Sequence, residues 1–232
     1  MNIVITSTNL SELLLQIELD GPKVLDPFIN EYFDLTGLEI NVTDKISENI
    51  KISLNSFNNK NFTEETIRRK NFISKYGFSV PSELALQKIY NFCDQDKILE
   101  IGSGMGLWAH LMKLSGLNVY ATDIGSDGKY YKDFSRTWTK IEMITHEEAI
   151  EKYKSECNVL FTSWPPIDKL ISFNMMHVYT CSKIIYIGEC YGGSTANTNF
   201  FDILNKLFVL IETVTIPRWT GIYDKMYFFE RK

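Results

Sequence analysis

The sequence predicts an α/β fold with a seven-stranded sheet, in which parallel strands precede an antiparallel terminal hairpin, and a small N-terminal extension. From residue 63 onward, short apolar runs typical of buried strands alternate with amphipathic helical segments, which is the pattern of a parallel sheet with helical crossovers. The last two predicted strands, near residues 209–216 and 225–229, are joined by a segment too short to hold a helix. They are therefore predicted to pair antiparallel.

The first part of the chain has a different pattern of residues from the rest. It is predicted to contain, in order, a helix from Asp26-Pro27 to about residue 35, strands near 39–42 and 50–54, and an asparagine-rich loop at 55–61. We interpret residues 1–62 as an N-terminal extension or cap, and residues 63–232 as the main domain.

Two helices are predicted before the first strand of the main domain. The first, near residues 63–76, has acids in its first turn and the basic triplet Arg68-Arg69-Lys70 further on, an order that suits the helix dipole. A solvated helix face explains the triplet best, with contact to an acidic substrate as the alternative. Ser82 is predicted to cap the second helix, over residues 83–92, whose apolar positions are Leu84, Leu86, Ile89 and Tyr90.

A glycine turn joins the next strand to its helix. The apolar run 98–101 is predicted as a buried strand, and the turn that follows contains Gly102, Gly104 and Gly106. A helix over residues 107–114 then ends at Gly116, and a second strand ends at Asp123.

This strand–turn–helix–strand unit predicts a cofactor site. Its turn places a helix N-terminus at the mouth of the sheet, and Asp123 is suitably spaced to accept hydrogen bonds from ribose hydroxyls. Leu107 stands where a dinucleotide-binding pattern has its last glycine, and Glu100 would repel a pyrophosphate but suit a cation. These residues favour S-adenosylmethionine, with S-adenosylhomocysteine as product, over the alternative of a glycine turn without a ligand.

The rest of the chain continues the alternation. The predictions are a strand near 139–144, a helix from the capping box at Thr145 to about 154, a strand at 158–162, a helix at 168–181, a strand at 184–187 and a helix at 200–208. Ser163-Trp164 and Glu189 follow strand ends. Since the carboxyl ends of parallel strands meet at one edge of a sheet, these residues should lie near Glu100 and Asp123. The Ser163-Trp164 strand end is therefore predicted to contact the cofactor, together with Glu100, the three turn glycines and Asp123.

With these motifs in view, the chain resembles the class I S-adenosylmethionine-dependent methyltransferases, which have a Rossmann-like fold. More narrowly, it resembles a stand-alone methyltransferase-like family over about residues 68–232. The shared motifs read KYGFSVPSELAL, ILEIGSGMGLWAHLM, VLFTSWPP, IIYIGE and IPRWTGIYDKMYFFER in this sequence. The resemblance implies the cofactor and the fold. The chain departs from that family at Ser194, where a cysteine is usual, and at Tyr223, where a histidine is usual.

The candidate catalytic and substrate-binding residues follow the later strands. Amino-methylating enzymes carry Asp- or Asn-Pro-Pro where this chain has Trp164 before two prolines, and an indole N–H donates but does not accept. Trp164 is therefore predicted to contact a flat or cationic substrate, or else to fill the core, and Trp219 to wall the same pocket. Glu189 is the first candidate for a general base, followed by Asp224 with Tyr223 beside it, and a structural role is the alternative for each acid.

Composition limits the kinds of partner, metal site and cellular location that the chain is expected to have. A net charge of −5 does not favour nucleic acid, and four cysteines without a C-x-x-C pair argue against zinc and against a disulfide framework, so no metal is expected. No apolar run reaches the length of a membrane span, and no signal peptide is evident. We expect a cytoplasmic protein without membrane attachment. The oligomeric state stays open.

The predicted function is methyl transfer from S-adenosylmethionine to an unidentified acceptor, with a small molecule among the candidates. Two alternatives remain. One is a non-catalytic cofactor-binding or protein-interaction module, and the other is a nucleic-acid methyltransferase.

Overall fold

The computed structural model describes residues 3–4, 9–22, 59–125, 136–167 and 179–232. In chain order the elements are β1 (Ile3–Val4), α1 (Leu10–Asp20), α2 (Asn59–Lys75), α3 (Glu83–Cys93), β2 (Ile98–Ile101), α4 (Leu107–Leu114), β3 (Val119–Asp123), β4 (Arg136–Thr137), β5 (Glu142–Met143), α5 (His146–Tyr153), β6 (Val159–Ser163), β7 (Lys183–Gly188), α6 (Thr198–Leu207), β8 (Phe208–Val214) and β9 (Lys225–Arg231). The predicted helix near residues 26–35, the strands at 39–42 and 50–54, and most of the helix at 168–181 lie outside the described residues.

Within those residues, seven strands form one sheet in the order β5-β3-β2-β6-β7-β9-β8. Strands β5, β3, β2, β6 and β7 run parallel, whereas β9 is antiparallel to both β7 and β8. The predicted fold class is confirmed, including the terminal hairpin. The chain proceeds from β2 to β3 on one side and returns to β6 on the other, so the crevice at the carboxyl end of β2 is where open α/β sheets bind ligands.

Helices cover both faces of the sheet. Successive strand residues point to opposite faces, so Ile98 packs in one core with α1–α4, while Leu99 packs in a second core with α5 and α6. Phe161 and Leu160 of β6 divide in the same way. Both cores lie at the level of the strands, which leaves the carboxyl edge for polar side chains.

The first helix is attached to the main domain by its buried face. Leu13 and Ile17 of α1 are buried in the same core as Phe72 of α2. Asp20, the last residue of α1, accepts hydrogen bonds of 2.7 Å from both Lys75 Nζ and Tyr76 Oη. The boundary near residue 62 remains a prediction, and α2 extends across it.

Several local predictions were wrong. Helix α2 begins at Asn59, inside the segment predicted as a loop, and residues 179–181 are not helical. Of the four apolar positions named for α3, Leu86 and Ile89 are buried, whereas Leu84 and Tyr90 are 51% and 53% exposed. The remaining buried positions of this helix are Ala85 and Cys93. Strand β5 is shorter than predicted, and the parallel pairing of β1 with β4 was not predicted.

Candidate functional site

The glycine turn after β2 is open on one side and closely packed on the other. Gly102 and Gly106 have φ values of +71° and +78°, in the left-handed region that favours glycine. A Cβ added to Gly106 would lie 3.0 Å from Cγ2 of Thr139, whereas one added to Gly102 would meet no described atom within 4 Å. Gly106 therefore serves packing, and the backbone at Gly102 is accessible to a ligand.

Glu100 is a buried acid directly below this turn. Its side chain is 2% exposed, and its Oε2 atom has no hydrogen-bond partner among the described residues. Burial raises the pKa of Glu100 to about 8, although the nearby Lys113 ammonium and the Ala109 N–H favour ionisation. A buried carboxyl oxygen without a partner requires an explanation, and a bound hydrogen-bond donor supplies one.

Asp123 connects the end of β3 to the glycine turn. Its Oδ2 atom accepts the Gly104 N–H at 2.8 Å, and its Oδ1 atom accepts the Gly125 N–H at 2.9 Å. Burial raises the pKa of Asp123, and these two N–H groups partly oppose that shift. Each carboxylate oxygen can accept more than one hydrogen bond, so the side chain can still bind ribose hydroxyls.

Ser163, at the end of β6, takes part in a chain of hydrogen bonds between protein groups. Its hydroxyl lies 2.7 Å from the Ser79 hydroxyl, which also accepts the Trp108 indole N–H at 2.8 Å. The predicted cofactor contact at this position would therefore compete with an internal hydrogen bond.

Trp164 directly follows β6 and has a strained backbone conformation. Its φ of +56° is uncommon for a bulky residue, and its backbone N–H donates to the Ile187 carbonyl at 2.8 Å. The indole stacks on Phe78 with ring centroids 5.3 Å apart, and its Nε1–H donates to Oδ2 of Asp224 at 2.8 Å. The indole thus acts as a donor, as its chemistry requires, and its acceptor is a second candidate residue.

Asp224 is a buried acid with one unused oxygen. It is 2% exposed, and its Oδ1 atom has no hydrogen-bond partner in the described part of the chain. Burial raises the pKa of Asp224 to about 6, the Trp164 N–H opposes that shift, and the neighbouring Glu189 carboxylate adds to it. This carboxyl is suited to exchange a proton near neutral pH.

Glu189 is held by backbone groups from two loops. Its Oε2 atom accepts the Ser194 N–H at 2.6 Å, and its Oε1 atom accepts the Tyr223 N–H at 2.8 Å. The carboxylate thereby joins the loop after β7 to the hairpin loop, which is formed by residues 215–224 between β8 and β9. Glu189 thus has a backbone N–H on each oxygen, whereas Asp224 has one oxygen without a hydrogen-bond partner among the described residues.

Trp219 contributes little exposed surface to the site. It is 2% exposed and packs in the core, with its ring centroid 5.5 Å from that of Phe72 in an edge-on arrangement. In this conformation its ring is not available for stacking on a substrate.

Arg69 lies beside Trp164, although a solvated helix face was the preferred explanation for its basic triplet. Its Cζ atom lies 5.8 Å from the centroid of the Trp164 ring. Burial lowers the pKa of Arg69, while the Asp224 and Glu189 carboxylates raise it. Arg69 lies three and seven residues before Phe72 and Tyr76, which are both buried, and this helical spacing was the available signal.

Two kinds of site were not found among the described residues. No group of three or more His, Cys, Asp or Glu side chains there is arranged to hold a metal ion. None of the helices there combines the length and apolar character needed to cross a membrane.

Comparisons with known proteins give distant likenesses. No family model and no curated protein matches the chain by sequence. Among solved structures, magnesium protoporphyrin IX methyltransferase from Synechocystis is 11% identical, with 72% of this chain and 97% of that chain covered and a TM-score of 0.42. The 1,6-didemethyltoxoflavin N1-methyltransferase of Burkholderia thailandensis is 10% identical, with 65% and 77% covered and a TM-score of 0.44.

A third solved structure is a ribosomal protein L11 methylase from Lactobacillus delbrueckii. It is 13% identical, with 64% of this chain and 75% of that chain covered and a TM-score of 0.40. Likeness at this distance carries no residue's role and no substrate over to this chain.

Proposed function

We propose that this chain is an S-adenosylmethionine-dependent methyltransferase. The observation that carries the proposal is the buried Glu100 carboxyl with an unpartnered Oε2, set beneath a glycine turn that is open at Gly102. Both lie at the reversal of strand order in the sheet, where ligands bind in this architecture. Asp123 stands at the tip of the neighbouring strand.

The charges and shapes of these groups fit the cofactor. Glu100 would bind its amino group, Asp123 its ribose hydroxyls, and the open backbone at Gly102 would allow close approach. Leu107 is buried in the core at the position where a dinucleotide-binding pattern has the glycine that lets its helix pack closely on the strand. The two acids at the mouth of the turn disfavour phosphate, and a bound ammonium group would stabilise the ionised form of Glu100 that burial otherwise disfavours.

When bound, S-adenosylmethionine would supply an activated methyl group, and its sulfur would leave as the thioether of S-adenosylhomocysteine. The protein has to align the acceptor and receive its proton. Asp224 is the proposed proton acceptor, through the free Oδ1, and Trp164 positions it by donating to Oδ2. Glu189 is proposed to hold the hairpin loop in place.

Calorimetric titration tests the cofactor assignment. We expect binding of S-adenosylmethionine and S-adenosylhomocysteine but not of NADH. Gly102→Ala would place a Cβ in the proposed cofactor space and should weaken binding by about tenfold or more, which is roughly 1.4 kcal/mol.

The matched control is Gly116→Ala. Gly116 has a similar positive φ of +88° and no described atom within 4 Å of an added Cβ, but it lies at the far end of α4. Both variants should lose similar stability from backbone strain, and only Gly102→Ala should lose cofactor affinity. Equal affinities in the two variants would remove the glycine turn from the site.

A further inference from the structure

A cavity lies between α2 and the hairpin loop. Its volume is about 520 Å³, and residues of both elements line it, including Glu65, Arg69, Lys70, Ser74, Trp219 and Thr220. The Thr220 N–H donates to Glu65 Oε1 at 3.0 Å, which attaches the hairpin loop to α2. No role has been given to this cavity so far.

The indole N–H of Trp219 has no acceptor among the described residues. All four tryptophans lie within the described residues, and the other three donate from Nε1: Trp108 to Ser79, Trp138 to the Lys75 carbonyl and Trp164 to Asp224. Trp219 Nε1 is buried and has no such partner. Buried indole N–H groups usually find one, so the exception indicates a missing ligand.

Two further residues that line the cavity share this property. Arg69 Nε and Thr220 Oγ1 are also buried without a hydrogen-bond partner in the described structure. The guanidinium and indole groups can only donate, and the hydroxyl can donate as well. Glu65 contributes one negative charge to the lining, and its Oε1 atom already accepts the Thr220 N–H. With the positive charges of Arg69 and Lys70 the charged lining groups sum to a net positive charge, and together with the unused donors this suits an oxyanion.

The cavity adjoins the proposed proton acceptor. Arg69 Cζ lies 5.8 Å from the Trp164 ring, and the Trp164 indole N–H holds Asp224. Trp219 and Thr220 precede Asp224 in the same loop. An oxyanion bound to Arg69 and Trp219 would therefore lie one side chain away from the Asp224 carboxyl.

We infer that this cavity binds the oxyanion group, a carboxylate or a phosphate, of a small methyl acceptor. The group accepts hydrogen bonds from Arg69 Nε, Trp219 Nε1 and the Thr220 hydroxyl, while the acceptor's nucleophile faces Asp224. The oxyanion site is inferred from the cavity with its unpartnered donors and does not depend on the proposed function. Only the link to a methyl acceptor rests on that function.

The test is a titration of the ¹⁵N-labelled full chain, followed through the four indole N–H signals. Benzoate represents a carboxylate, phenyl phosphate a phosphate, and benzamide is the uncharged control. Trp219→Phe identifies the Trp219 signal. We expect benzoate, phenyl phosphate or both to shift this signal saturably, and benzamide to leave it unchanged; whichever anion binds more tightly identifies the chemistry.

Matched substitutions separate the site from general charge. Arg69→Gln should weaken anion binding by about tenfold, the effect of losing one charge-assisted hydrogen bond, and Thr220→Val should weaken it in the same direction. Arg68→Gln makes the same change of charge at an exposed neighbour and should leave binding within about twofold. The inference is overturned if neither anion shifts the Trp219 signal, or if Arg69→Gln and Arg68→Gln behave alike.

The anion titration needs no cofactor, so its result is independent of the calorimetry described above. Anion binding without cofactor binding would refute the methyltransferase proposal and leave an oxyanion site. Cofactor binding without anion binding would support the methyltransferase proposal and overturn the oxyanion site.

Discussion

At the scale of single residues, Trp164 and Asp224 form the most informative pair. The tryptophan adopts a φ of +56°, which is costly for a bulky side chain and persists where surrounding contacts determine it. Those contacts are the stacking on Phe78 and the hydrogen bond to Asp224. The strain therefore coincides with the orientation of a buried carboxyl, as expected for a positioning residue.

The pH dependence of methyl transfer should report this pair. A proton acceptor has to be ionised, so with a pKa of about 6 at Asp224 we expect turnover to rise as the pH increases through 6. Trp164→Phe removes the N–H that lowers this pKa, so the rise should move to higher pH. Asp224→Asn should lower turnover by roughly 10²- to 10⁴-fold.

The measurement is transfer of labelled methyl groups from S-adenosylmethionine into small molecules of a cell extract between pH 5 and 8. Cofactor affinity, measured on the same variants, should stay unchanged and serves as the control. A pH profile that is identical in Trp164→Phe and the unmodified protein would show that the indole does not tune Asp224.

At the scale of elements, α1 shows how the N-terminal part of the chain joins the main domain. One face of this helix is buried through Leu13 and Ile17, while Leu15 and Leu19 on other faces are more than half exposed. Its C-terminal Asp20 binds Lys75 and Tyr76 at the end of α2. The helix is thus part of the core that supports α2, which carries Arg69.

A pair of alanine substitutions in α1 tests this attachment. Ile17→Ala should lower the free energy of unfolding by about 2–5 kcal/mol, because it leaves a cavity at a fully buried position. Leu15→Ala removes a similar side chain at a position that is 57% exposed, so it should change the free energy of unfolding by no more than about 0.5 kcal/mol. Urea unfolding of both variants measures the difference, and equal values would mean that α1 folds apart from the core.

At the scale of the whole molecule, the fold buries acids at the carboxyl edge of its sheet. Glu100 and Asp224 both lie there with raised pKa values, because burial disfavours their charged forms. For Glu100 the value rises from 4.5 to about 8. Below pH 4.5 the folded and unfolded chains are both protonated at this group, and as the pH rises toward 8 only the folded chain retains the proton. Glu100 therefore makes the protein less stable as the pH increases across this range.

Glu100→Gln should remove this dependence. We expect the variant and the unmodified protein to have similar stability near pH 4.5, and the variant to be more stable at pH 8 by a few kcal/mol, since each pKa unit corresponds to about 1.4 kcal/mol. Urea unfolding at several pH values measures the difference. Glu64→Gln, at an exposed acid of α2, should show no such change. Stability curves that stay parallel would mean that Glu100 is ionised in the folded protein.

The sequence by itself determined the succession of strands and helices, the hairpin and the glycine turn. These features depend on local patterns: apolar runs, a capping box at Thr145 and the left-handed conformations that glycine adopts without strain. It also brought Glu100 and Asp123 to one edge, because parallel strands present their carboxyl ends together.

Only the tertiary structure decided how the polar groups at that edge are used. Trp164 and Asp224 are 60 residues apart in sequence, and the N–H groups that bind Glu189 come from two different loops. The exposure of Leu84 and Tyr90 likewise depends on which elements pack beside α3. Such contacts follow from the distances and orientations of elements far apart in the chain. A local pattern cannot specify them, because it contains no information about its partner.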